Sequence, residues 1–309
     1  MTTACCNYGM KEQLLPFGLP LLPPRVPGIA RVGRVPAGRT VELPGRGSTF
    51  VVDSGPVTDG PTFVLLHSLA CTGLMTWYPT LAMMREFGRV VVFDQRGHGQ
   101  GISASRFLLE DCADDAAVLA DVLGVRTFVP VGYSMGSFVA QLIWRRHPQR
   151  VDGLVLCAAA AAYNRIIYER LATGLFAALL DAFSPPPRLP AAAALSAAEL
   201  ISNDSEWLLG QLRTTSPGAV ARAIAELMRF DSTSWVAEID VPTSVLIPLR
   251  DRALGVGRQR WLASQIPDAH VVTVDAGHAG CTLRSDKFVA GLREAVESVR
   301  HRLITEQAS

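Results

Sequence analysis

The chain has 309 residues, 49% hydrophobic and 18% charged, and 29 basic against 28 acidic side chains leave a formal net charge of +1. This length and composition give one large or two small globular domains and exclude disorder as the main state. The near-neutral balance supplies no basic field for a phosphate backbone, so nucleic acid is not an expected partner. The cysteines, Cys5, Cys6, Cys71, Cys112, Cys157 and Cys281, form no C-x-x-C pair. They read as reduced thiols of a cytoplasmic protein, not as a disulfide or metal framework. The longest apolar runs, such as 154–163, are too short to span a bilayer, and prolines at 16, 20, 23 and 24 break the apolar stretch near the start, which reads poorly as a secretory signal.

Residues 1–38 are rich in Pro and Gly and read as an irregular arm. Short aliphatic or β-branched runs follow at 49–53, 62–66, 89–93, 127–131, 153–157, 243–249 and 270–274. Bounded by Gly, Pro or Asp, they predict strands buried on both faces. Between them lie helical patterns. Over 108–123, Leu109, Cys112, Ala113, Ala116, Leu119, Ala120 and Leu123 share one face, and Gly124 ends the run. A last helix follows Ser285, with Phe288, Val289, Leu292, Val296, Val299 and Leu303 as its apolar stripe. Strands alternating with helices predict an α/β fold with a mostly parallel central sheet flanked by helices.

Residues 163–240 break the alternation. They show no strand pattern, helical candidates at 166–180, 197–212 and 217–228, and a proline-rich breaker at 184–187. A helical insertion of this kind is expected to cap the edge where the strand C-termini open. The predicted organisation is an arm (1–38), a core of 39–162 and 241–309, and a helical cap (163–240).

The sharpest motif is Gly132-Tyr133-Ser134-Met135-Gly136, directly after a predicted strand and directly before the apolar helical run of Phe138, Val139, Leu142 and Ile143. G-x-S-x-G in a strand–turn–helix context forces the serine hydroxyl out above the sheet, in a turn tight enough to demand glycine on both sides. The helix N-terminus there points backbone N–H groups at developing negative charge. A nucleophilic serine needs a base, and the base needs an orienting acid. His278 follows the predicted strand 270–274, and Asp251 follows 243–249. Both lie at strand C-terminal ends, and the chain order Ser134, Asp251, His278 suits a nucleophile elbow.

With these residues the chain resembles the α/β-hydrolase fold family, in its serine-nucleophile, esterase- and lipase-like branch. Leu65-Leu66-His67 and Phe93-Asp94-Gln95-Arg96-Gly97-His98-Gly99 match further, and the likeness spans about residues 60–305. The resemblance implies a helical cap inserted after the sixth strand and acyl-transfer chemistry. It also implies an oxyanion hole from the backbone N–H groups of Leu69 and Met135. In that loop Ser68 stands where the family usually has glycine. If the position needs φ > 0, a serine costs about 1 kcal/mol of strain; otherwise its hydroxyl is free to serve the site. The expected substrate is a small apolar ester or acyl compound, hydrolysed without metal or cofactor. The same triad also serves thioester or C–C bond hydrolysis, acyl transfer and perhydrolysis, and a ligand-binding sensor on this fold stays open as a rival.

Other candidates are weaker. His67, His98 and Asp94 lack metal-ligand spacing, and the resemblance implies that they are loop-fixing residues. Glu110, Asp111, Asp114 and Asp115 read as a solvated helix start. Trp77, Tyr163, Trp207 and Trp235, with Met228 and Phe230, are candidates for an apolar acyl pocket or for the core of the cap. Pro130 is unexpected inside a central strand.

Overall fold

The computed structural model describes residues 29–57, 60–163 and 199–308. Eight strands form one sheet: β1 (Arg39–Leu43), β2 (Gly47–Asp53), β3 (Thr62–Leu66), β4 (Arg89–Phe93), β5 (Val129–Tyr133), β6 (Leu154–Cys157), β7 (Thr243–Pro248) and β8 (His270–Val274). Their order across the sheet is β8-β7-β6-β5-β3-β4-β2-β1. β1 and β2 pair antiparallel, as do β2 and β4, and all other neighbours are parallel. The central strands are buried on both faces, which is why they read as unbroken apolar runs. β1 alternates exposed and buried residues at an edge, a pattern too short and polar to stand out in the sequence.

Helices α1 (Gly73–Trp77), α2 (Leu81–Arg85), α3 (Leu109–Val122) and α4 (Met135–Arg146) follow β3, β3, β4 and β5. α5 (Asp204–Arg213) and α6 (Pro217–Leu227) lie between β6 and β7; α7 (Val256–Gln265) follows β7, and α8 (Gly280–Leu283) and α9 (Ser285–Ala308) follow β8. One apolar cluster joins the sheet to α3, α4 and α7; the other joins its opposite face to α1, α2 and α9. The result is a three-layer α/β sandwich with the predicted fold class.

The start of the chain, 1–28, and the predicted helix 166–180 with its breaker lie outside the described residues. Within the predicted cap the structure corrects the reading: Glu199–Leu200 is a short strand, antiparallel to Arg34–Val35. α5 therefore begins later than the pattern suggested. Its first turn is set by Asn203, whose side chain accepts from the Glu206 N–H at 3.1 Å. The described part of the arm is tied in place. Val32 and Val35 are buried, the Val32 N–H donates to Asp204 Oδ1 at 3.0 Å, and the Tyr78 hydroxyl donates to Ala30 O at 2.9 Å.

Pro130 now has a physical account. Phe128 bridges Val151, a separation of 23 in sequence, whereas Val131 pairs with Val155, a separation of 24. The β5–β6 register thus slips by one residue across Pro130, and a bulge is where a strand tolerates a residue without an N–H. The acidic start of α3 also differs from a solvated face. Asp115 is buried and ion-paired to both Arg46 and Arg96, while Asp114 pairs with Arg146 and His147 at 2.8 Å each.

Candidate active site

Ser134 sits between β5 and α4 at φ 51°, ψ −114°, a conformation L-residues rarely adopt. Neighbouring backbone holds it there: the Ser134 N–H donates to Cys157 O at 3.0 Å, and its carbonyl accepts from Ser137 N at 2.8 Å and Ser137 Oγ at 2.7 Å. The flanking glycines are required by close approach. A Cβ on Gly132 would stand 2.2 Å from Gly136 O, and one on Gly136 would stand 2.1 Å from Leu66 O. The turn thus stores about 1–3 kcal/mol of strain that surrounding contacts enforce.

Three side chains from three strand ends form one hydrogen-bonded run. Ser134 Oγ lies 2.8 Å from His278 Nε2, and His278 Nδ1 lies 2.8 Å from Asp251 Oδ2. Asp251 is 4% exposed, and its carboxylate also accepts from the N–H groups of Ala253 (2.8 Å) and Leu254 (3.1 Å) and from Gln259 Nε2 (2.9 Å). Burial alone would push this carboxyl up. The hydrogen bond and charge of His278, with the two backbone N–H groups, outweigh burial and hold it below the usual carboxylate value. Asp251 is therefore ionised and can only accept. The proton of a neutral His278 then sits on Nδ1, and Nε2 presents its lone pair to the serine hydroxyl. Gln259 went unnoticed in the sequence. It lies on α7, eight residues after Asp251, and only the turn between them brings the two together.

The loop after β3 is built by its own hydrogen bonds. His67 Nε2 accepts from the Gln95 N–H at 2.8 Å, so the Nδ1–H donates to Ser68 O at 2.8 Å, and the Gln95 side chain donates to His67 O. Burial, then the neighbouring His98, holds His67 down at about 3, and burial holds His98 at about 4, so both rings are neutral. They fix loops, as the resemblance implied. Among the described residues no three His, Cys, Asp or Glu side chains converge on a metal-sized site. The strain considered for Ser68 falls elsewhere: Ser68 is outside the left-handed region, and Ala70 carries the positive φ of 62°. Among the described residues, neither the Leu69 nor the Met135 N–H donates a hydrogen bond. Thr72 caps α1 through the Met75 N–H and donates to Gln211 Oε1 at 2.6 Å, linking this loop to α5. The Gly99 N–H makes a parallel link to Thr215 Oγ1 at 3.1 Å.

Ser134 and His278 open into a cavity of about 260 Å³. Ser68, Leu69 and Tyr163 line it, together with Phe138, Ile224, Leu227 and Ala253, which the sequence had not singled out. The three candidate tryptophans lie elsewhere. Trp77 is fully buried against Tyr133 and Phe288, Trp207 packs on Tyr78, and Trp235 stacks on Trp144 beneath the Arg145 guanidinium. Phe230 packs on Phe138 from the core side. Large aromatic rings are drawn to the core by their area, so residue type alone did not separate core from pocket.

Comparison with known proteins agrees with this fold. Residues 61–283 match the family model described as the alpha/beta hydrolase fold. The chain belongs to the α/β-hydrolase family. Among curated α/β-hydrolase relatives, it is 28% identical to the pimeloyl-[acyl-carrier protein] methyl ester esterase of Chromobacterium violaceum, covering 77% of this chain and 95% of that one. It is 23% identical to 3-oxoadipate enol-lactonase 1 of Acinetobacter baylyi, over 82% and 96%. Among solved structures, a hydrolase from Pseudomonas aeruginosa superposes with a TM-score of 0.66 at 25% identity, covering 85% of this chain and 97% of that chain.

Proposed function

We propose that this α/β-hydrolase cleaves carboxylic esters through an acyl-enzyme formed on Ser134. The observation that carries the reading is the unbroken run from Ser134 Oγ through His278 to Asp251. Ser134 Oγ attacks the acyl carbonyl carbon as its proton passes to His278 Nε2. Asp251 fixes the imidazole tautomer and stabilises the imidazolium that forms. The carbonyl oxygen, now an oxyanion, is met by the N–H groups of Leu69 and Met135, an interaction worth about 3–4 kcal/mol per donor in such sites. The intermediate collapses, the C–O bond breaks, and His278 returns the proton to the leaving alcohol. Water, deprotonated by His278, then attacks the acyl carbon and releases acid and serine.

The lining of Leu69, Phe138, Tyr163, Ile224, Leu227 and Ala253 carries no charge and favours a small, uncharged, apolar ester. Esters are also the substrates named for the Chromobacterium relative. In this reading residues 163–240 are the cap insertion, to which Ile224 and Leu227 of α6 contribute pocket-lining residues, and residues 1–38 are the N-terminal arm.

The experiment is fluorophosphonate labelling read by intact mass and peptide mapping, beside a p-nitrophenyl ester series of rising chain length. The expected result is one adduct on Ser134, turnover of the short esters, and loss of both in a folded Ser134→Ala variant. Absence of the adduct on folded protein, or turnover retained by Ser134→Ala, overturns the proposal.

A further inference from the structure

We infer that Tyr133 is a positioning residue for His278, its hydroxyl fastening the base to the strand that delivers the nucleophile. The inference rests on the Ser134–His278–Asp251 reading above.

The Tyr133 hydroxyl donates to the backbone carbonyl of His278 at 2.6 Å, across 145 residues of sequence. Its ring is 1% exposed and gripped edge-on by Phe288 (centroids 5.2 Å, 81° between planes) and Trp77 (6.3 Å, 84°), so the hydroxyl has one place to go. Burial pushes the hydroxyl well above the ordinary tyrosine range, so it remains a donor. The other side of the clamp is equally rigid: Tyr133 pairs with Cys157 in the β5–β6 ladder, and its peptide neighbour is Ser134.

Among the described residues, the loop's other backbone hydrogen bonds do not act on His278 itself. The Arg250 N–H holds Ala276 O at 2.9 Å, and the Gly280 N–H closes on Gly277 O at 3.0 Å. Asp251 orients the imidazole but leaves its Cα free to swing about that contact. A bond to the His278 carbonyl fixes the peptide plane and so the distance from Nε2 to Ser134 Oγ. The surroundings of the ring are apolar, and phenylalanine would pack there equally well. The hydroxyl is thus explained by its bond to the His278 carbonyl, whereas in the G-x-S-x-G pattern this position is free.

Tyr133→Phe keeps the ring and its contacts and removes only the donor. Val299→Ala is the packing control, since it thins the same apolar cluster at the Gly153 end and leaves the Tyr133 ring and hydroxyl in place. In Tyr133→Phe, kcat and the rate of fluorophosphonate labelling should fall by about tenfold to a hundredfold, the range for a catalytic group displaced by about 1 Å. KM should change little, and amide exchange in residues 276–281 should quicken. Val299→Ala should lower the melting temperature by as much or more and leave kcat near wild type. A Tyr133→Phe enzyme with near-wild-type kcat overturns the inference. So does a loss of kcat that follows melting temperature equally in both variants. If wild type itself fails to label at Ser134, the proposed function falls and takes this inference with it. Wild-type labelling beside an unimpaired Tyr133→Phe removes the inference alone.

Discussion

Acidification should weaken this fold through two buried imidazoles beneath the β3 and β4 loops, partly offset by the buried carboxyl of Asp94. His67 and His98 are neutral in the folded protein, held at about 3 and about 4 against an ordinary 6.5. Below pH 6.5 the unfolded chain protonates both and the folded one neither, so the stability they lend above that pH is lost as pH falls. Asp94 works the other way. Burial pushes it from 3.8 up to about 6, against N–H donors at Gln100 and Gly73, so the folded chain takes up a proton there first. At pH 5 the unfolded chain holds about one more proton over the three groups, a slope of about 1.4 kcal/mol per pH unit, and the loss from pH 7 to pH 5 sums to about 2 kcal/mol. Urea unfolding followed by circular dichroism at pH 7, 6 and 5, at fixed ionic strength, measures it. His98→Asn removes one imidazole and should shrink the loss below about 1 kcal/mol. Stability that is flat or rising from pH 7 to 5, or an undiminished loss in His98→Asn, refutes the reasoning.

Ser134→Gly should be more stable than Ser134→Ala by about 1 kcal/mol or more, because only glycine relaxes at φ 51°; equal thermal melts would contradict the strain assigned to the turn. Thr72→Val removes both the α1 cap and the bond to Gln211 and should cost about 1–2 kcal/mol in urea unfolding. A neutral result would mean that neither contact supports the loop.

Much of the fold was legible because the central strands are buried on both faces. Thr62–Leu66, Arg89–Phe93 and His270–Val274 fall where the aliphatic runs placed them. β5 begins two residues later than its run suggested, since Pro130 and the register slip displace regular pairing toward the elbow. α7 was missed because its exposed face carries Arg258, Arg260 and Trp261 and only Gln259, Leu262 and Ala263 are buried. Ser134, Asp251 and His278 could be proposed from motif and order, since each stands at a strand end. Gln259, the Tyr133 clamp and the pocket lining could not, because each depends on contacts between residues that share no local pattern. The pocket tryptophans failed for a related reason: an indole buried in the core and one lining a cavity leave the same trace in a sequence.

The seams that hold α5 and α6 against the sheet also bear on how this protein can be re-engineered. Val32 to Asp204, Thr72 to Gln211, Gly99 to Thr215, and Ser232 to Gln141 each join this helical region or its immediate flank to a different part of the chain. A chimera that imported this region through Ser232 from a relative would cut all four joins at once, including the one that steadies the loop beside the serine. Exchanging specificity by transplant therefore calls for carrying Asp204, Gln211, Thr215 and Ser232 along with the graft. Without them, a donor segment of matching length would lose these four polar joins and lean more heavily on its apolar underside.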